Sequence, residues 1–204
     1  TDLAHQIMIY ADHFQKDLKK GSRVGIWKQD IITTIALFFA ILECDCTVVI
    51  FSDRDPIEKI DRQSQYILLD HMIEDPLSID PNDKISIVDH LGEDQSVQEK
   101  KIILFTSGST KNPKAVLHSL GTLIQNAEAS HKNIPFEHGH TWLLSLSLWH
   151  VGGLAIVIRS MLYGACIAIG SIEDIETLQV THVSFVALQL PRFIDLCHQK
   201  EELK

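Results

Sequence analysis

Positive charge is scarce in this 204-residue chain: 18 lysines and arginines stand against 27 aspartates and glutamates, a net charge of −9. A general nucleic-acid binder needs a basic face or stripe and is excluded on that ground. Any anionic ligand must be held by local positive groups. Long hydrophobic runs are also missing. The longest, Ile31 to Cys44, is interrupted by Thr33, Thr34 and Glu43 and is too short to span a bilayer. No charged segment followed by an apolar stretch opens the chain, so the expectation is a cytoplasmic protein with no membrane partner. The four cysteines, Cys44, Cys46, Cys166 and Cys197, show no paired metal-ligand spacing. Their mostly apolar surroundings mark them as reduced core thiols. With 45% hydrophobic and 22% charged residues, the composition is that of a globular protein of about one domain.

From Leu3 to Lys19, apolar residues at Leu3, Ile7, Tyr10, Ala11, Phe14 and Leu18 recur at helical spacing, closed by Lys19, Lys20 and Gly21. Arg23 to Lys28 reads as a short strand, Asp30 as the N-cap of a helix through Cys44, and Thr47 to Phe51 as a second strand. That β-α-β order predicts parallel pairing. Ser52 to Lys100 carries 13 acidic residues and is punctuated by Pro56, Pro76 and Pro81; it reads as solvated loops joining two short strands, Tyr66 to Leu69 and Lys84 to Val88. Acidic pairs such as Asp53 with Asp55 have nothing to fix their geometry and read as a solvated face.

Lys101 to Val116, KIILFTSGSTKNPKAV, is the most informative stretch. Ile102 to Phe105 suits a strand buried on both faces. It ends in Thr106, Ser107, Gly108, Ser109 and Thr110, four hydroxyls around a glycine that lets backbone approach a ligand. Hydroxyls and backbone N–H groups in such a loop suit phosphate oxygens, Lys114 adds a full positive charge, and Pro113 stiffens the approach to it. The loop is expected to be exposed and to make few packing contacts. A Walker-type P-loop does not fit, because GxxxxGK[ST] starting at Gly108 would need glycine at Pro113 and Ser or Thr at Ala115.

Ser119 to Lys132 reads as a helix, and Thr141 to Leu148, TWLLSLSL, as an apolar strand running into Trp149, His150, Val151, Gly152 and Gly153. The glycines permit close approach of a flat ligand or of neighbouring backbone, and His150, at the end of a strand, is placed to gate or polarise a site. Arg159 lies among Ile156, Val157, Ile158, Met161 and Leu162. A guanidinium in so apolar a stretch needs a partner if buried, and a ligand carboxylate matches its bidentate fork. His131, His138 and His140 lack a fixed element to set ligand geometry, so no metal site is expected. No G-x-S-x-G elbow occurs.

TSGSTKNPKAV resembles the phosphate-wrapping signature loop of the acyl-adenylate-forming, or AMP-binding, enzymes, with Lys111 and Ala115 where that loop usually carries glycine. SLSLWHVGGLAIVIRSMLYGA and THVSFVALQLPRFID are similar to later motifs of the same family, most of all in its o-succinylbenzoate-CoA ligase branch. In the second run Ala187 and Leu188 replace a usual proline and threonine. The resemblance implies an α/β fold: the N-terminal part of the adenylate-forming ligase fold, layered sheets with flanking helices. Residues 1–204 would form a partial N-terminal domain, roughly 1–100 and 101–204 as two βα halves, without the C-terminal domain. It implies ATP, Mg²⁺ and coenzyme A as cofactor and co-substrates, and a small carboxylic acid as partner. Thr106, Ser107, Gly108, Ser109, Thr110 and Lys114 would hold the ATP phosphates, with Lys114 catalytic, and His150, Gly152, Gly153 and Arg159 would border the acyl site. The family's downstream glutamate, aspartate and lysine motifs are not found in the sequence, so the chain alone is expected to be inactive. The alternative is a truncated, non-catalytic relative acting as a nucleotide or acyl binding or assembly module.

Overall fold

The computed structural model describes residues 3–74, 99–106 and 114–202, with side chains to residue 198. The chain clusters into two compact units, Thr1–Leu123 and Ile124–Lys204.

The first unit is built on a five-stranded sheet in the order β3-β1-β2-β4-β5. Its strands are β1 (Arg23–Ile26), β2 (Thr47–Ile50), β3 (His71–Ile73), β4 (Lys101–Thr106) and β5 (Lys114–Ser119). β1 to β4 are mutually parallel, and β5 is antiparallel to β4. Helix α1 (Leu3–Asp17) and helix α2 (Ile31–Glu43) pack against each other, and α2 also lies against β1 and β2. α2 is apolar nearly all round because it is buried nearly all round, from Thr34 to Phe38 and from Ala40 to Leu42. Asp30 starts it: its carboxylate accepts the N–H groups of Ile32 and Thr33 and the Thr33 hydroxyl, which holds that carboxyl below its usual range even though partial burial pushes the other way. A second core joins Trp27, Val49, Phe51, Ile60, Ile67 and Ile103, with helix α3 (Ile57–Tyr66) contributing Ile60.

Two expectations in this unit need correcting. Tyr66 to Leu69 is not a strand. Tyr66 closes α3, Ile67 caps it with its N–H on the Gln63 carbonyl, and Leu68 turns through a positive φ of 52° before β3 begins. The helix was hidden because Gln63, buried at 3% exposure, occupies the middle of the stripe that Ile60 and Ile67 would otherwise mark. The second concerns the flanks of the phosphate-type loop, which are hairpin strands: β5 follows it, where no strand was expected. The proposed strand Lys84 to Val88 lies outside the described residues.

The second unit carries a parallel three-stranded sheet, β7-β6-β8, from β6 (Thr141–Leu143), β7 (Cys166–Ala168) and β8 (His182–Val183). Helix α4 (Leu120–His131) leads into it, α5 (Val151–Leu162) joins β6 to β7, and α6 (Leu190–Glu202) follows β8. A 3-10 turn at Ile172–Asp174, closed by Ser171, places Ile172 against Leu143 and Ala168. The expected strand Thr141 to Leu148 stops at Leu143. Ser145 then donates its hydroxyl to the Ser184 carbonyl, and its N–H bonds back to Leu143, so the chain leaves the ladder despite continued alternation. Among the described residues no helix is long and apolar enough to cross a membrane.

The turn that follows depends on Gly153 in the first turn of α5, where an added Cβ would lie 2.2 Å from the Ser147 carbonyl oxygen. At Gly152 the nearest atom is instead the flexible end of Leu146, at 2.8 Å. Gly153→Ala is therefore expected to cost about 2 kcal/mol or more, and Gly152→Ala distinctly less, because side-chain ends yield where backbone does not. Urea unfolding of the two variants measures the difference.

Candidate functional site

Two regions carry the residues singled out from the sequence, one in each unit. In the first, β4 pairs with β5 from Lys101↔Ser119 to Thr106↔Lys114. Thr106 and Lys114 are directly opposed and exposed, and the Thr106 hydroxyl donates to the Lys114 carbonyl at 3.4 Å. The stretch between them therefore starts and returns at one point on the sheet. Ser107, Gly108, Ser109, Thr110 and Pro113 lie outside the described residues. Their anchors do not: Ile102, Ile103 and Leu104 are buried, and Phe105 stacks on Phe51 with ring centroids 5.7 Å apart. β4 runs parallel to β1, β2 and β3, so Thr106 leaves the sheet at the carboxyl edge, where α/β sheets bind their ligands.

In the second unit, α5 begins at His150, whose extended backbone (φ −116°, ψ 144°) makes it the N-cap without a side-chain cap bond. His150 is exposed, and Gly152 and Gly153 form the first turn. Gly153 serves helix entry against the backbone of Ser147, whereas Gly152 faces the side chain of Leu146. Arg159 lies two turns further along and is 8% exposed. Its guanidinium carbon sits 4.4 Å from the centre of the Trp142 ring, a cation–π contact. Its Nε has no hydrogen-bond partner among the described residues. Burial alone pulls its pKa below the usual guanidinium value, with no carboxylate among the described residues to offset it.

Sequence reasoning passed over the aromatic group around that arginine. Trp142 lies beside His182 through the β6–β8 register, ring centroids 5.1 Å apart. Phe136, fully buried, meets both edge-on at 4.9 Å. His140 lies 5.0 Å from His182 and accepts the Glu137 N–H through Nδ1. His131 likewise accepts the Phe136 N–H and stacks on Tyr163 at 3.9 Å. These histidines are tied to backbone and rings. Trp142 and His182 are forty residues apart in sequence and meet only through strand pairing, so no local pattern announces them.

The AMP-binding enzyme profile matches residues 1–204. The chain belongs to the AMP-binding enzyme family. Among curated relatives, the 2-succinylbenzoate–CoA ligase of Haemophilus influenzae is 28% identical over 190 residues, covering 93% of this chain and 41% of that protein. The counterpart from Bacillus cytotoxicus is 26% identical over 197 residues, covering 87% of this chain and 40% of its own. The chain thus spans about two fifths of the length of these relatives, by the 41% and 40% covered. The o-succinylbenzoate coenzyme A synthetase of Bacillus subtilis, solved in complex with ATP and magnesium ion, matches with a TM-score of 0.73 at 18% identity, over 94% of this chain and 57% of that one. That likeness establishes the fold: this AMP-binding enzyme chain has the architecture of the N-terminal part of an adenylate-forming ligase.

The histidine cluster has a pH signature. Burial, then the neighbouring His140, then Arg159 push the His182 pKa below the ordinary imidazole value, against a Pro135 carbonyl that favours the charged form. The unfolded chain therefore binds this proton more readily than the folded one, so the stabilisation is complete above the ordinary imidazole value and is lost as pH falls below it toward the lowered value of the folded state. Urea unfolding at pH 7.5 and 5.5 should show a loss of stability on acidification that is smaller in His182→Gln.

Proposed function

We propose that this chain supplies the ATP-phosphate loop and part of the acyl pocket of an acid–CoA ligase acting on o-succinylbenzoate or a closely related dicarboxylate. The observation that carries the reading is Arg159: a buried guanidinium stacked on Trp142, with an Nε that has no partner and no carboxylate beside it among the described residues, in a chain of the AMP-binding family. Such a group calls for an anion, and a carboxylate is the anion its planar fork fits. The names of the relatives, 2-succinylbenzoate–CoA ligases, support the same substrate.

In this reading Thr106, Ser107, Gly108, Ser109 and Thr110 donate to the phosphate oxygens of ATP, and Lys114 neutralises charge that builds up there, which is its catalytic role. A substrate carboxylate oxygen forms a bond to the α-phosphorus as the bond to pyrophosphate breaks; the thiol of coenzyme A then displaces AMP from the acyl carbon. Residues 106–114 carry hydroxyls and lysines and no carboxylate, so they fit phosphate oxygens and do not fit a metal ion. Mg²⁺ would arrive with the nucleotide, and no described residue is assigned to hold it. His150, Gly152 and Gly153 border the acyl side, and Arg159 takes the carboxylate that is not activated.

Arg159→Ala is expected to weaken o-succinylbenzoate binding roughly tenfold to a hundredfold, the loss of one charge-assisted contact of about 1.5 to 3 kcal/mol, and to leave ATP binding nearly unchanged. Arg159→Lys should recover only part, since an ammonium lacks the fork. Calorimetric titration with the dicarboxylate, with its ester at the succinyl end, and with ATP checks this; equal affinity for acid and ester in the parent sequence would remove the assignment.

Because the relatives are more than twice as long, with 41% of one covered, these residues are proposed to bind without completing turnover by themselves. Exchange of labelled pyrophosphate into ATP by the 204-residue chain should not exceed that of Lys114→Ala. Exchange well above that control would show the chain to be a complete catalyst.

A further inference from the structure

A cation–π contact uses the flat face of a guanidinium and leaves its in-plane N–H groups available. Arg159 shows that division: its carbon is 4.4 Å from the Trp142 ring centre, and its Nε has no partner among the described residues. A bidentate carboxylate must meet those N–H groups in their own plane. Whatever fixes the indole therefore fixes the plane in which an anion can be received.

The indole is held on several sides. Trp142 is 3% exposed in the central strand of its sheet, Phe136 meets it edge-on at 83°, and His182 on β8 stacks against it at 29°. Packing of this kind leaves one ring orientation. We infer that Trp142, backed by His182, is a positioning platform that sets the plane of the Arg159 guanidinium for a ligand carboxylate. This rests on the acyl-side reading of Arg159 given above, and it adds a specificity element: the site selects substrates whose distal carboxylate reaches Arg159 in that plane.

His182 also gives the platform a sensitivity to acid. Around its ring stand His140 and Arg159, the Thr181 hydroxyl at 2.8 Å from Nδ1, and the uncharged rings of Phe136 and Trp142. A proton on His182 places a second positive charge against the stack that carries Arg159. Repulsion between like charges then competes with the contact that orients the guanidinium.

The test uses the full 204-residue chain and two readouts. The first is the arginine Nε–Hε spectrum, in which the Arg159 signal is identified by its loss in Arg159→Lys. It should be displaced by the indole ring current and slow to exchange with water. Trp142→Leu should remove the displacement and speed exchange about tenfold, whereas Trp142→Phe, which keeps an aromatic face, should retain most of both. The second readout is titration with o-succinylbenzoate. Trp142→Leu should weaken binding about tenfold, as expected for loss of a desolvated cation–π contact, with Trp142→Phe much nearer the parent. Affinity of the parent should fall between pH 7.5 and 5.5, and His182→Phe should flatten that fall.

If Trp142→Leu keeps the folded backbone spectrum and leaves the Arg159 signal and affinity unchanged, the platform is wrong. If it unfolds, His182→Phe decides: a pH dependence equal to the parent's overturns the proposal. Should the parent fail to bind o-succinylbenzoate while its Arg159 signal behaves as described, the acyl-side reading fails, and the Nε–Hε readout alone upholds the platform.

Discussion

A guanidinium removed from water must be compensated by something, and in the second unit much of the local architecture follows from where Arg159 finds that compensation. Helix α5 carries it among Ile156, Val157 and Ile158, all buried. The only described partner for its charge is an aromatic face. A carboxylate in that place would have made an ion pair of the kind that rigidifies a core without leaving anything to bind. The ring leaves the donors unspent. This is a costly arrangement for stability and a useful one for recognition, since an unsatisfied buried donor favours any ligand able to reach it. β6 presents Trp142 beside His182 and ends after Leu143, where Ser145 donates its hydroxyl to the Ser184 carbonyl and the chain leaves the ladder.

The first unit brings the two ends of a polar stretch to one place. Four parallel strands put their carboxyl ends on one edge, and the antiparallel β5 brings the chain back to the point from which it left. The two ends of the intervening sequence are thereby opposed at Thr106 and Lys114. Phe105, stacked on Phe51, secures the last turn of β4 before the hydroxyls begin.

Local chemistry was legible in the sequence wherever it was also local in space. The Asp30 cap, the apolar α2, the buried β4 and the helix α1 each depend on residues within a few positions of one another, and each stands where the pattern put it, although α1 buries Ile9, which the expected stripe omitted, beside Ala11 and Phe14. What failed to show had a partner elsewhere. α3 was obscured by Gln63, whose burial depends on its packing in the folded unit. β5 reads as strand only because β4 lies alongside, and the alternating residues after Leu143 read as strand although no ladder accepts them. At the candidate sites, Lys114 and Arg159 could be picked out by their surroundings in the chain, whereas Trp142 and His182 acquire meaning only from the β6–β8 register.

Electrostatics adds a last step, because the protein as a whole repels the ligands proposed for it. With a net charge of −9, anionic substrates meet an unfavourable mean field. The acidic residues are not spread evenly, however. Residues 100–127 contain no aspartate or glutamate and include Lys100, Lys101, Lys111 and Lys114, and residues 138–172 contain none either and include Arg159. The first stretch holds the phosphate-type loop, the second the buried arginine. Screening over roughly 8 to 10 Å at physiological salt means that a binding group is governed by its near neighbours far more than by total charge. Two acid-free stretches in an acidic chain therefore leave Lys111, Lys114 and Arg159 without a carboxylate close by in sequence, although Lys100 is paired with Glu43 at 3.2 Å. Two of the carboxylates outside these stretches have fixed partners of their own: Asp30 caps α2, and Glu173, in the turn just beyond the second acid-free stretch, pairs with Arg192.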